Sequence, residues 1–257
     1  MQGQQRIRRF RFSATAVLTI AAASALTAAR NASAQPLAPS LCDPTINQFT
    51  TDVNNSFFPL EAGQQWVLVG KEGPDDLGLR ITVLNGTERF YRRRDDGVPT
   101  VETVRMEETE WEDEDADGVI DAGEFVIETS INYFAQTQDG TVCYFGEDVN
   151  IFLPEGGVSH EGAWRADASG NAPGIFMPAN PQEGMTFQQE SAPGVAEDTA
   201  TIIAVGRTVT TPAGTFTDTI TVRDFNPLDG SRGRKSYARN VGLIHDGPLL
   251  LSSFSGF

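Results

Sequence analysis

Five acids of the stretch Asp113–Glu124, DEDADGVIDAGE, fall at its first, third, fifth, ninth and twelfth places, beside Glu114 at the second, with glycine at the sixth. A hard dication requires six to eight oxygens, and one short loop supplies them when alternate side chains converge around a sharp bend. Asp113, Asp115 and Asp117 each offer a side-chain oxygen, Gly118 permits the bend, and Val119 offers its carbonyl. Asp121 serves directly or through water, and Glu124 offers both oxygens. Ile120 and Phe125 are apolar residues that such a loop can tuck inward. Seven carboxylates lie between Glu112 and Glu124. Two unit charges about 4 Å apart repel by roughly 1 kcal/mol even in water, so the stretch is expected to stand open or disordered until a cation joins it.

This spacing resembles the calcium loop of the EF-hand family, over these twelve residues and no further. The resemblance implies Ca2+ as the ion held by Asp113, Asp115, Asp117, Val119, Asp121 and Glu124, whereas the spacing itself specifies only oxygens ready for a cation. The flanks depart from the family. Gly123 costs an outgoing helix about 1 kcal/mol relative to alanine, and the β-branched Val126, Ile127, Thr129 and Ile131 favour a strand. The incoming VETVRMEETEW fits neither period cleanly, which leaves a short helix open there. The loop is therefore expected at the tip of a β-hairpin or between two strands, with no second loop and no helix pair to open. A lone loop binds weakly, and exported modules work at calcium affinities of about 0.1–1 mM. The bland alternative is an acidic, solvated turn that binds nothing specific.

Other chemistry is less concentrated. His160, in VSHEGAW, and His245, after Val241–Ile244, are the two histidines, so any histidine-based acid–base scheme uses one of them. No GxSxG, HExxH, P-loop or dinucleotide fingerprint occurs. Glu147, Asp148, Glu190, Glu197 and Asp198 are carboxylates from which a glycoside hydrolase or lyase could draw a pair. Trp66, Tyr144, Phe145 and Trp164 could stack on a sugar or line an apolar ligand cavity, and such residues equally build cores. No catalytic residue is assigned.

The elements that must position these residues read as strands. Trp66–Val69, Arg80–Leu84, Glu88–Tyr91 and Val101–Met106 are separated by GPDD, NG and RRDDGVP. From Phe125 to Phe134 the chain alternates, with Phe125, Ile127, Thr129, Ile131 and Tyr133 on one face and Glu128, Ser130 and Asn132 on the other, as in a half-buried strand. QDG at 138–140 predicts a hairpin into Thr141–Phe145. Gly156–Gly184 is rich in Gly, Pro, Ala and Asn and reads as ordered loops. Strand patterns return at Thr199–Val209, Thr215–Asp224, Arg234–Ala238 and Val241–Phe254. The expected class is all-β, mostly antiparallel, a curved sheet or barrel that closes or covers its edges, with a sandwich as the second solution.

The N-terminus places Arg6, Arg8, Arg9 and Arg11 before the uncharged Ser13–Ala29 and the small Ala32-Ser33-Ala34, the order of a secretory signal peptide over residues 1–34. Residues 35–56 carry three prolines and read as an extended lead-in to a single β-rich domain over 57–257. Five of the 19 basic residues and no acid lie in 1–34, which leaves 14 bases against 35 acids, a formal charge of −21. Such a surface repels nucleic acid and anionic lipid and suits cations. No run after residue 34 is long and apolar enough to span a bilayer. Cys42 and Cys143 are the two cysteines, and an oxidising compartment favours their pairing. The body of the chain is loosely similar to β-rich proteins exported by bacteria, which implies export and β architecture and nothing about activity. The sequence thus describes a secreted or periplasmic calcium-binding module, with a calcium-stabilised extracellular enzyme or an apolar-ligand barrel as alternatives.

Overall fold

A computed structural model describes residues 35–91 and 97–256. The signal peptide expected over 1–34 and most of the turn expected at 93–99 lie outside the described residues. The rest is all-β, a nearly closed, barrel-like antiparallel sheet of 13 strands. We label them β1 (Gln65–Glu72), β2 (Asp75–Phe90), β3 (Val101–Glu112), β4 (Val126–Thr137), β5 (Val142–Phe152), β6 (Ala172–Met177), β7 (Met185–Gln188), β8 (Glu190–Ser191), β9 (Thr199–Thr211), β10 (Gly214–Phe225), β11 (Arg232–Ala238), β12 (Gly242–Asp246) and β13 (Leu249–Ser255). Sequential neighbours pair from β1 to β5 and from β9 to β13, and β13 returns to β1 with Leu251 opposite Leu68. β6 joins β5 and β8, and β7 joins β9. Curling the sheet on itself removes most of its exposed edges.

Register decides what faces inward. Leu79, Ile81 and Val83 of β2 lie in the core and pair with Glu110, Glu108 and Met106 of β3. Those three pair in turn with Glu128, Ser130 and Asn132 of β4. The polar face of the alternating β4 pattern is therefore the one turned into the barrel, and Ser130 and Asn132 are buried there. A bulge at Tyr133/Phe134 then shifts the register, and Phe134 joins the core as well.

Several sequence boundaries move. The NG at 85–86 opens no separate hairpin. It is absorbed as a bulge between Val83 and Thr87 within one continuous strand β2, with Gly86 at φ +80°. The expected lead-in over 35–56 is packed against the barrel. Gln35–Pro36 pairs with β7, Phe49–Thr50 with β4, and Val53–Asn55 with Phe58–Leu60. Its anchor is the Cys42–Cys143 disulfide, with Cα atoms 5.7 Å apart, which fastens this segment to β5. The loops expected in 156–184 include β6 and the short pairs Val158–Ser159 and Trp164–Arg165, all laid against β5.

Candidate metal centre and barrel lumen

The loop 113–125 joins β3 to β4, so strands flank it on both sides. It folds back on the barrel's outer wall. The Asp113 amide donates to the Asp76 carbonyl at 3.0 Å. Gly118, at φ +77°, approaches so closely that a Cβ there would stand 3.0 Å from Val69 Cγ1. Two residues before the loop, the fully buried Trp111 packs across the facing Gly78 of β2.

Asp113, Asp115 and Asp117 converge, with one ligand atom of each lying within 4.8 Å of the others. Local hydrogen bonds shape the turn. Gly118 N–H donates to Asp113 Oδ2 at 3.0 Å, Asp117 N–H to Asp115 Oδ1 at 3.3 Å, and Val119 N–H to Asp117 Oδ1 at 2.7 Å. Asp113 is 1% exposed, and its Oδ1 has no hydrogen-bond partner among the described residues. Burial raises its pKa, and the nearby Glu124, Asp117 and Asp115 push in the same direction. Glu124 spans the loop and accepts from the Glu114 and Asp121 amides at 2.9 and 2.8 Å. Its carboxylate stands outside the three-aspartate cluster, and Val119 is exposed at the surface.

A second concentration of acid lies inside the barrel. Glu108, Glu110 and Glu128 face inward by register, as do Glu147, opposite Asn132, and Asp246, opposite Lys235. Asp224 shares the face of Val222 and Lys235. Burial and mutual repulsion raise Glu108 to about 7, and Glu110 and Glu190 to about 8. Burial, with repulsion from Asp224, raises Asp198 to about 6. Lys235 is held protonated by Asp246, Asp224 and Glu108, and its Nζ lies 3.6 Å from Asp246 Oδ2. Beside Glu108 and Lys235 the interior narrows to about 20 Å³ between Trp66, Met106 and Tyr237, room for one water.

Of the carboxylates singled out in the sequence, Glu147, Glu190 and Asp198 belong to this interior. Asp148 is exposed and accepts from the Tyr133 hydroxyl, and Glu197 caps an exposed turn at Gly194. His160 Nδ1 bonds the Val149 carbonyl and His245 Nε2 that of Gly247, each at 2.8 Å. His245 lies on the opposite face of β12 from Asp246. Trp66, Tyr144, Phe145 and Trp164 are core residues. Glu108, Glu110, Glu128, Asp224, Lys235 and Asp246 escaped sequence reading. Their only signal was a period of two shared with apolar residues, as in Met106, Glu108, Glu110 and in Ile220, Val222, Asp224.

An open cleft of about 660 Å³ lies elsewhere, lined by Pro39, Tyr91, Ala168, Pro173 and Gln188 among others. Asp43 is its one charged residue among the described lining. No helix among the described residues is long and apolar enough to cross a membrane.

No family model matches the chain, and no curated protein is similar to it. Among solved structures it is similar to a putative lipoprotein from Parabacteroides distasonis, at 14% identity and a TM-score of 0.35, over 78% of this chain and 99% of that one. Function is therefore read from this chain's own residues.

Proposed function

We propose that this is an exported, secreted or periplasmic β-barrel protein whose Asp113–Glu124 loop binds Ca2+ as a structural ligand, leaving the barrel to act as a binding or surface module. The observation that carries this reading is Asp113 Oδ1, a buried carboxylate oxygen without a donor, set within a cluster of three aspartates. A buried, unsatisfied polar atom costs about 1–3 kcal/mol, more when charged, and a cation at that point removes the cost while cancelling the repulsion around it. Asp115 and Asp117 complete the near side of the site. Glu124, now bonded to two amides, and the Val119 carbonyl close the far side when the loop contracts around the ion. Export rests on the basic, apolar and small segments of residues 1–34.

The interior gives an apolar-ligand barrel little support, because its wall carries acids. A polymer-cleaving hydrolase or lyase needs two acids across an open groove, and the open cleft presents only Asp43.

Calorimetric titration with calcium tests the proposal. Asp113→Ala and Glu124→Gln should each weaken binding at least tenfold while the β fold persists at high calcium. Equal affinity in parent and variants would remove the ligand assignment.

A further inference from the structure

On the outside of the barrel, β10 and β11 present a face whose charge is opposite to that of the chain as a whole. Arg223 and Arg234 stand directly across from each other on the two strands, and Arg232 stands across from Phe225 two residues further along. All three arginines are exposed, because their neighbours Val222 and Lys235 take the inward places. Lys71, Arg89, Arg165, Lys235 and Arg239 are each ion-paired with a carboxylate, whereas Arg223, Arg232 and Arg234 have no ion pair among the described residues. The Arg232 guanidinium rests on the Phe225 ring instead, 4.7 Å from its centroid. Like charges set directly opposite on a sheet repel, and this pair stands unneutralised in a chain whose acids far outnumber its bases.

No acid occupies the rows around the pair. Its own row continues through Thr201 of β9 to Thr186 of β7, and the next row holds Thr199 beside Phe225 and Arg232. On the other side the Thr221 and Ser236 hydroxyls bond each other at 3.2 Å. Strand spacings make this a strip of roughly 7 Å by 14 Å. A guanidinium grips a carboxylate through two parallel hydrogen bonds, so an anion seated between Arg223 and Arg234 removes their repulsion. The narrowness of the strip selects among anions. A duplex or a bilayer would press its charge against the acidic surface around the strip, whereas a slender chain meets the strip alone. At about 0.15 M ionic strength the Debye length is about 8 Å, so distant acids are screened and contact pairs are not. Peptides that bind sheets add to an open edge, and β9, β10 and β11 are paired on both sides. The hydroxyls of Thr186 and Thr201 match a chain that carries hydroxyls between its acids.

We propose that the outer face of β10 and β11 docks an acidic polysaccharide, a single chain bearing uronate carboxylates, with Arg223 and Arg234 gripping one carboxylate and Arg232 a neighbouring one. This inference rests on the reading of the barrel as an exported binding module and names that module's partner. Calcium binding at the Asp113–Glu124 loop is measured separately, so either reading can fail alone. Each exposed contact is weak, and affinity comes from several carboxylates of one chain held at once.

Polygalacturonate is the probe, immobilised on a biosensor surface, with the purified protein passed over it at physiological salt and with chelator present to prevent gelling. Saturable binding is expected, lost near 1 M salt where the Debye length falls to about 3 Å, and monomeric galacturonate at equal carboxylate concentration should not compete. Arg223→Gln with Arg234→Gln should weaken binding at least tenfold, and Arg223→Lys with Arg234→Lys, which keeps the charge and loses the fork, less. Arg89→Gln with Arg239→Gln removes the same charge at ion-paired positions and should leave binding unchanged. Unfolding midpoints at or above the parent's are expected for the Arg223 and Arg234 variants, since they relieve a repulsion. Absence of saturable binding, equal loss in both pairs of glutamine variants, equally tight binding of polyglutamate, or self-association of the protein that the Arg223 and Arg234 changes abolish would each overturn the proposal.

Discussion

The Gly118 amide donates to Asp113 Oδ2 at 3.0 Å, across five residues, and leaves Asp113 Oδ1 buried without a donor. The same glycine sits at φ +77° with Val69 Cγ1 3.0 Å from the place a Cβ would take. One residue therefore sets the bend of the loop and its seat on the barrel wall.

Gly118→Ala should disturb both. A left-handed backbone costs an ordinary residue about 1–2 kcal/mol, and the close approach to Val69 adds to it. Calcium affinity is expected to fall about tenfold, with Gly118→Asn milder because asparagine tolerates that conformation. An unchanged dissociation constant for Gly118→Ala would place the bend elsewhere.

Gly78→Ala should lower stability by about 1–3 kcal/mol, the usual cost of overpacking. A Cβ at residue 78 would fall 2.1 Å from Trp111 Cζ2, well inside contact distance. Denaturant unfolding measures the loss, and a shift in Trp111 emission should accompany it. Pairing the change with Trp111→Leu should recover part of the stability, and no recovery would contradict the contact.

Removing the disulfide with Cys42→Ala and Cys143→Ala should cost about 4–5 kcal/mol, the chain-entropy value for a loop of about 100 residues. The N-terminal segment should loosen first, read as faster amide exchange at residues 36–55. Equal stability of oxidised and substituted protein would mean that the segment holds without its staple.

The acids of the lumen predict a pH dependence. Glu108 sits at about 7 in the folded protein, and Glu110 and Glu190 at about 8, against 4.5 for an ordinary glutamate. Between roughly pH 4.5 and 8 the folded state keeps protons that the unfolded chain releases, so stability falls as pH rises through that window. Calcium-free protein should have a higher unfolding midpoint at pH 5 than at pH 8. Glu110→Gln should flatten the slope, and a midpoint that climbs with pH would show these acids to be ionised throughout.

Much of this was legible in the chain because it is local. The acid spacing of Asp113–Glu124 and the β-branched run after it place the loop between strands, and the two cysteines suggest one another as partners. The lumen was not legible, because register makes it. Glu108 turns inward only because it pairs with Ile81 and Ser130. The bulge after Val83 that carries β2 through the NG reverses a signal that ordinarily ends a strand. Lys235 and Asp246 come near enough to act on the charge of Glu108 only once β13 returns to β1, which brings together residues far apart in sequence. Alternation along β4 reports two faces without saying which is inside.

Thermal unfolding in excess chelator and again in a few millimolar calcium, with magnesium as control, tests the central claim. Calcium at 100 times its dissociation constant should add about 2.7 kcal/mol, a rise of roughly 5–10 °C for a chain of this size. The account predicts that rise with calcium and not with magnesium, and its loss in Asp113→Ala. The same midpoint in chelator and in calcium would contradict a structural calcium site at Asp113–Glu124.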